Sequence, residues 1–230
     1  MTNTTALLHW RPVPLPEPKT LEGYYICLEP LDAQRQGDDF WITLHGPKAD
    51  PDLWDFLPYG PFSSREAFNT WLTGHAASTD PLFFAVIDSR SGQAQGLLSL
   101  MSIVPEHGSI EIGHVIFGRA MQRTPRATEA VYLLAREAFA LGYRRLEWKC
   151  DDRNERSRRA AKRFGFSYEG LFRQHRVVKN QSRNTAWFSL LDKEWPECRQ
   201  AFETWLSPDN FDAHSNQQQR LKVLRMHYRR

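Results

Sequence analysis

A short basic loop, Met121-Gln-Arg-Thr-Pro-Arg-Ala127, separates an apolar run ending at Phe117 from a helical pattern opening at Pro125. A strand that passes into a helix through such a loop leaves backbone N–H groups without intrahelical acceptors, facing outward. That arrangement is a cradle for phosphate. The apolar run itself, Glu111-Ile-Gly-His-Val-Ile-Phe117, carries one carboxylate, and Asn154-Glu-Arg-Ser157 and Gly165-Phe166 follow the helix downstream.

Gln122, Pro125 and Ala127 fall on the first, fourth and sixth positions of a pattern that begins with Gln or Arg, usually has Gly fourth, and ends in Gly or Ala. With Thr128-Glu129-Ala130, Asn154, Ser157 and Gly165-Phe166, the stretch resembles the GNAT superfamily of acyl-CoA-dependent N-acetyltransferases. The nearest likeness is to its Rim-type branch, which includes enzymes acting on ribosomal-protein N-termini. The motif core covers about a quarter of the chain, and the order of elements extends the likeness over residues 22–206. The resemblance implies acetyl-CoA as co-substrate, a primary amine as acceptor (a protein N-terminus, an amino acid, a polyamine or a small-molecule amine), direct attack in a ternary complex, and a possible homodimer. It assigns cofactor binding to His114, Val115, Ile116, Phe117, Gln122, Arg123, Thr124, Pro125, Arg126, Ala127, Thr128, Asn154 and Ser157. Pro125 departs from the pattern: a glycine there would offer an N–H, whereas proline suits the first helical position but offers none. Arg123 and Arg126 are candidates to restore the attraction through charge-assisted contacts.

Acetyl transfer to an amine needs a neutral nucleophile, a polarised thioester carbonyl and a proton for the departing thiolate. An aliphatic ammonium, with a pKa near ~10, needs a base at neutral pH. On the resemblance that base is Glu111; the alternative is a structural or surface carboxylate. Strict alternation puts Glu111 and Gly113 on the side of Val115 and Phe117, and a bulge at Gly113 breaks that parity. The resemblance also implies that a backbone N–H around His114 to Ile116 polarises the carbonyl. The family often keeps a tyrosine four residues before the Gly-Phe pair, to protonate the sulfur, but Ala161 stands there. Ser157 is the substitute, with a helix-start hydroxyl bonded to its own backbone as the plainer reading. Asn154 fits an N-cap or a cofactor contact. Trp54, Phe56, Tyr59 and Phe62, in a stretch stiffened by two prolines, are candidate walls of the acceptor groove or packing beneath the sheet. Ala161 and Pro125 also keep open a second reading, an acyl-CoA-binding regulatory or interaction protein without transferase activity.

The 230 residues are 41% hydrophobic and 25% charged, enough for one globular domain. Cys27, Cys150 and Cys198 lie far apart, and the eight histidines lack ligand spacing; a reduced, cytoplasmic protein without a metal is expected. No apolar run approaches a membrane span and no signal-peptide pattern opens the chain. Residues 1–118 carry 6 Lys and Arg against 14 Asp and Glu, while residues 119–230 carry 24 against 13. The basic half suits CoA phosphates and the acidic half a cationic acceptor, unless the acidic charges are simply solvated surface. Nucleic acid is not the expected partner, because no aromatic residues alternate with the charges of residues 151–163; a basic tail binding RNA is a further reading.

These residues need an α/β scaffold: a mixed, mostly antiparallel sheet of about six or seven strands with helices on both faces, and a splayed parallel pair between the strands at 109–117 and 145–150. An extended arm rich in proline (1–20) precedes the acetyltransferase domain (21–206), and a polar, basic tail (207–230) follows. Alternation and turn residues predict strands at 24–28, 82–87, 96–104, 109–117, 145–150, 168–176 and 185–191. Helices are expected from the Asp32 cap through Leu44, from a Ser63–Glu66 capping box to Leu72, and over 125–141, 155–164 and 195–206. Leu221, Leu224 and Tyr228 share a helical face, although a partly disordered tail is the expectation there.

Overall fold

The computed structural model describes residue 7, residues 9–213 and residues 216–228; the ends of the expected arm and tail therefore lie outside the described residues. One eight-stranded sheet organises the chain, in the order β1-β2-β3-β4-β5-β6-β8-β7. Its strands are β1 (Leu21–Glu22), β2 (Ile26–Pro30), β3 (Leu82–Asp88), β4 (Ala94–Val104), β5 (Ser109–Phe117), β6 (Arg145–Asp151), β7 (Ser167–Val178) and β8 (Gln181–Leu191). Seven of them are the strands that alternation predicts. The eighth, β1, is two residues long, too short to show a period. Every pairing is antiparallel except that between β5 and β6.

α1 (Ala33–His45) and α2 (Arg65–Ala76) cover one face of β2 to β5, while α3 (Pro125–Ala140), α4 (Glu155–Phe164), α5 (Trp195–Leu206) and α6 (Leu221–Tyr228) cover the other. Strand parity supplies both cores. Phe84, Val86, Leu98, Ile110 and Ile112 point to the α3 side, and Phe83, Ala85, Leu97 and Ile116 to the α1–α2 side. The helix starts follow their caps: Asp32 accepts from the amides of Gln34 and Arg35, and Asn154 from that of Ser157. The second helix is capped one residue later than expected, by Ser64, whose hydroxyl accepts from the Ala67 N–H.

The described residues of the tail include a helix, α6, that packs on the body. Leu221 and Leu224 are buried, the Tyr228 hydroxyl bonds Thr204, and the Arg225 guanidinium donates to the Lys162 carbonyl, so α6 seals the α4–α5 junction. Three apolar side chains on one face of a short helix suffice here because α4 and α5 already present an apolar seat. The described part of the arm is extended, with the Val13 N–H bonded to the Pro105 carbonyl and the Trp10 indole to that of Glu106.

Two features prepare a site. β5 and β6 pair only from Ser109 to Glu111 against Arg145 to Glu147, then part. β5 also bulges: Ser99 faces Gly113 and Leu97 faces Ile116, leaving Leu98 opposite both His114 and Val115, with His114 at φ 50°. The extra residue sits at His114, one place past Gly113, and it turns Glu111, Gly113 and His114 to the α1–α2 side while Val115 and Phe117 stay on the other.

Candidate active site

Glu111 occupies the last paired position of the fork, opposite Glu147. Its carboxylate is buried, accepts from the Ser102 hydroxyl at 3.2 Å and meets the Lys149 ammonium at 2.9 Å. Lys149 is shared: it also lies 2.7 Å from Glu147 and 4.0 Å above the centre of the Trp187 ring. Burial pushes the Glu111 carboxyl above its ordinary range, and the Lys149 charge only partly opposes that. A carboxylate so raised is a better proton acceptor than one in water.

Beyond the fork, His114 lies in an aromatic nest. Its Nδ1 is 2.7 Å from the Tyr59 hydroxyl, and Phe83 and His75 pack against its ring. Burial first, then the charges of His75 and Arg176, hold His114 down to about 4, so the ring is neutral at physiological pH. Burial also raises the Tyr59 phenol far above its usual value, which keeps it protonated. The aromatic stretch divides by position. Trp54 is only 3% exposed and bonds the Leu44 carbonyl; Phe62 packs between His45, Trp54 and Trp71; Phe56 is exposed; and Tyr59 alone reaches a candidate site residue. The Lys179 ammonium, at the tip of the β7–β8 hairpin, donates to the Trp54 carbonyl at 2.8 Å and so ties the hairpin to the α1–α2 connection.

In the phosphate loop most side chains are occupied. Gln122 donates to Asp50 and to the Phe117 carbonyl, and the Thr124 hydroxyl donates to the Met121 carbonyl. Arg126 pairs at 2.6 Å with the buried Asp88, so it does not restore the attraction lost at Pro125. Arg123, at φ 60°, is exposed and has no ion pair among the described residues. The first-turn amides of Arg126 and Ala127 remain without helical acceptors by construction. Thr128 is buried and accepts from Arg163.

At the start of α4 the Asn154 oxygen caps the Ser157 N–H, while the Ser157 hydroxyl accepts from the Trp148 indole at 2.9 Å and reaches Cys150. Its bond runs to a neighbouring strand, not to its own backbone. Ala161 is fully buried and offers no proton. Half of the six basic side chains between residues 153 and 163 are ion-paired within the chain: Arg153 with Asp151, Arg156 with Asp50 and Asp52, and Arg159 with Glu155. At the fork two carboxylates, Glu111 and Glu147, share the Lys149 ammonium. Of the acidic residues before position 118, Glu29, Asp38, Asp50 and Asp88 are paired with Arg35, Arg65, Arg156 and Arg126, and Glu111 with Lys149.

The model of the acetyltransferase (GNAT) domain matches residues 26–167, well over half of the chain. The protein is a GNAT-family acetyltransferase. A GCN5-related N-acetyltransferase from Brucella melitensis is 47% identical, with a TM-score of 0.92 over 96% of this chain and all of that one. A probable acetyltransferase of the family from Chromobacterium violaceum is 45% identical, with a TM-score of 0.79 over 85% of this chain and 98% of that one. The Rim-type likeness is more remote: a ribosomal-protein-serine acetyltransferase candidate from Vibrio cholerae is 18% identical, with a TM-score of 0.65 over 75% and 97% of the two chains, and shows the fold alone. No curated protein matches the sequence significantly. No helix among the described residues of this acetyltransferase is long and apolar enough to cross a membrane, and none of their His, Cys, Asp and Glu side chains cluster so as to hold a metal.

Several site residues lie outside the reach of a sequence motif. Lys149 reads as an alternating strand residue, and Ser102 and Trp187 carry no spacing signal. The one available hint was parity: Lys149, two positions past Glu147, shares its face and so must meet whatever lies in the fork.

Proposed function

We propose that this acetyltransferase transfers the acetyl group of acetyl-CoA to a primary amine, with Glu111 as the general base. The observation that carries this reading is the buried carboxylate at the point where β5 and β6 part. Acetyl-CoA supplies the activated thioester. The β6-facing backbone edge of β5 beyond Glu111 is unpaired and suits an extended pantetheine arm. The amides of the 121–127 loop and the first turn of α3 suit the diphosphate, with Arg123, which has no ion pair among the described residues, as a cation beside it. His114, Val115, Ile116 and Phe117 form the edge that aims the thioester, and Asn154 holds the adjoining helix start.

Glu111 takes the proton from the acceptor ammonium, freeing the lone pair. Its raised pKa narrows the gap to the ammonium, and its burial keeps bulk water from competing. Lys149 is a positioning residue that fixes the carboxylate from one side while Ser102 fixes it from the other. Ser157 is the hydroxyl nearest the α4 start, available to the departing sulfur. A thiolate leaves readily at neutral pH, so the demand on that group is small. Tyr59, bonded to His114, forms the acceptor-side wall.

The test combines calorimetry with acetyl-CoA and a thiol-release screen over amine acceptors. Binding, turnover with at least one amine, and turnover lost in Glu111→Gln while acetyl-CoA binding persists are expected. Absence of heat at millimolar acetyl-CoA overturns the reading.

A further inference from the structure

The open face beyond the fork carries a feature the proposed transfer does not use. β6, β8 and β7 present alternate side chains to the side that α1 and α2 leave uncovered: Lys149 beside Trp187, then Asp151 beside Thr185, then Arg183 directly opposite Arg176 across the hairpin. Two arginines facing each other across an antiparallel pair repel. Neither makes an ion pair or hydrogen bond to a protein group among the described residues, and the Arg183 Nε is buried without an acceptor. The carboxylates that share this face are engaged elsewhere. Asp151 holds Arg153 through three contacts of 2.9 to 3.0 Å, and Glu111 and Glu147 hold Lys149.

The strand is shaped to make this pair. β7 slips register between Phe172 and Arg176, with Gln174 at φ 49°, which brings Arg176 level with Arg183 and turns His175 onto Thr185 at 3.0 Å. His175 is held below its ordinary pKa by burial, then by the charges of Arg176, Arg183 and Lys149. A buried guanidinium N–H without a partner is costly unless something fills it, and the group that best matches an arginine fork is a carboxylate or phosphate.

We infer that Arg176 and Arg183 bind an anionic group on the acceptor, so that the amine acetylated here also carries a carboxylate or a phosphate. The inference rests on the acetyl-transfer reading and narrows its acceptor class. The basic pair receives the anion and Glu111 receives the ammonium proton, which orients a zwitterionic acceptor between hairpin and fork. Phe172, half exposed and with its ring tilted against that of Trp187 at 4.5 Å between centres, adds an apolar flank beside the pair.

The experiment measures kcat/KM for matched acceptors at saturating acetyl-CoA: L-phenylalanine against L-phenylalaninamide for a carboxylate, and phosphoethanolamine against ethanolamine for a phosphate. In one of these pairs the anionic member is preferred by at least about tenfold, the range of a charge-assisted hydrogen bond, and the preferred pair names the anion. Arg176→Gln and Arg183→Gln each bring that preference towards unity; Arg176 is exposed, so its variant folds even if the Arg183 variant does not. Calorimetry with CoA present supplies a readout independent of turnover: N-acetylphenylalanine or N-acetylphosphoethanolamine binds at least about tenfold more tightly than its neutral counterpart, N-acetylphenylalaninamide or N-acetylethanolamine. Equal use and equal binding of anionic and neutral members overturn the inference while leaving acetyl transfer intact. A principal effect of the two substitutions on the acetyl-CoA dissociation constant also overturns it, because the arginines then serve a cofactor phosphate. Failure to bind acetyl-CoA at all removes the underlying reading and this one with it.

Discussion

Glu111→Gln separates chemistry from structure because the substitution keeps shape and removes charge. In the wild-type protein the side chain of Glu111 is 7% exposed and touches Ser102 and Lys149. The amide oxygen of glutamine still accepts from both, while Lys149 retains Glu147 at 2.7 Å, so no cation is stranded. The pKa of Glu111 is raised in the fold, with burial the leading cause. By linkage, its ionisation therefore opposes folding: stability is fullest when the group is protonated and declines as pH rises through the folded pKa. Removing the charge at pH 7.5 therefore leaves the melting temperature within about 4 °C of wild type, roughly 1 kcal/mol for a chain of this size. Activity behaves differently. Loss of a general base lowers kcat/KM by about 10² to 10⁴, and the acid limb of the wild-type profile, set by Glu111 above the ordinary carboxylate range, disappears from the residual rate. His114 does not supply that limb, being neutral down to about pH 4. Thiol-release kinetics from pH 5 to 9, paired with thermal melts, measure both. Activity within tenfold of wild type with an unchanged acid limb refutes the assignment of the base. A fall in melting temperature beyond about 8 °C shows instead that the ion pair is structural.

Arg126→Ala removes the partner of buried Asp88, whose carboxyl is held below its usual pKa by amides of the 88–91 turn and by Arg126, against the burial that raises it. Stability tied to that depression is present above the ordinary carboxylate pKa and lost as pH falls through the folded value, so the variant is about 1 to 3 kcal/mol less stable at pH 7 and converges on wild type in acid, as urea titrations across pH 3–7 will show. Glu129 receives three backbone N–H groups, from Tyr24, Tyr25 and Ile26, at 2.7 to 2.9 Å. Glu129→Ala strands those donors and lowers stability by about 3 to 5 kcal/mol in chemical denaturation. Ser157→Ala frees the Trp148 indole and lowers the melting temperature by a few degrees, about 1 kcal/mol, while kcat falls less than about tenfold because a thiolate needs little help to leave; a fall beyond a hundredfold assigns Ser157 the decisive proton.

How far the sequence reached depended on whether the deciding interaction was local. Asp32 and Asn154 start helices because their side chains fall within reach of amides two or three residues on, and Pro125 starts α3 by its fixed φ. Alternation placed seven strands for the same reason: side-chain parity is a property of neighbours. The family followed from a motif that is likewise contiguous. The site needed more. Whether Arg126 faces a phosphate or Asp88, 38 positions away, is settled by how β3 lies against α3. The extra residue of β5 falls at His114 because the mismatch arises against Leu98 on β4. Lys149 becomes the partner of Glu111, and Arg176 the opposite of Arg183, only once β6 and the final hairpin are laid beside β5. The tail folds on a seat that α4 and α5 build. Chemistry carried by adjacent residues is written in the chain, whereas charges brought together across strands exist only in the folded sheet, since pairing energies depend on distances that no linear spacing specifies.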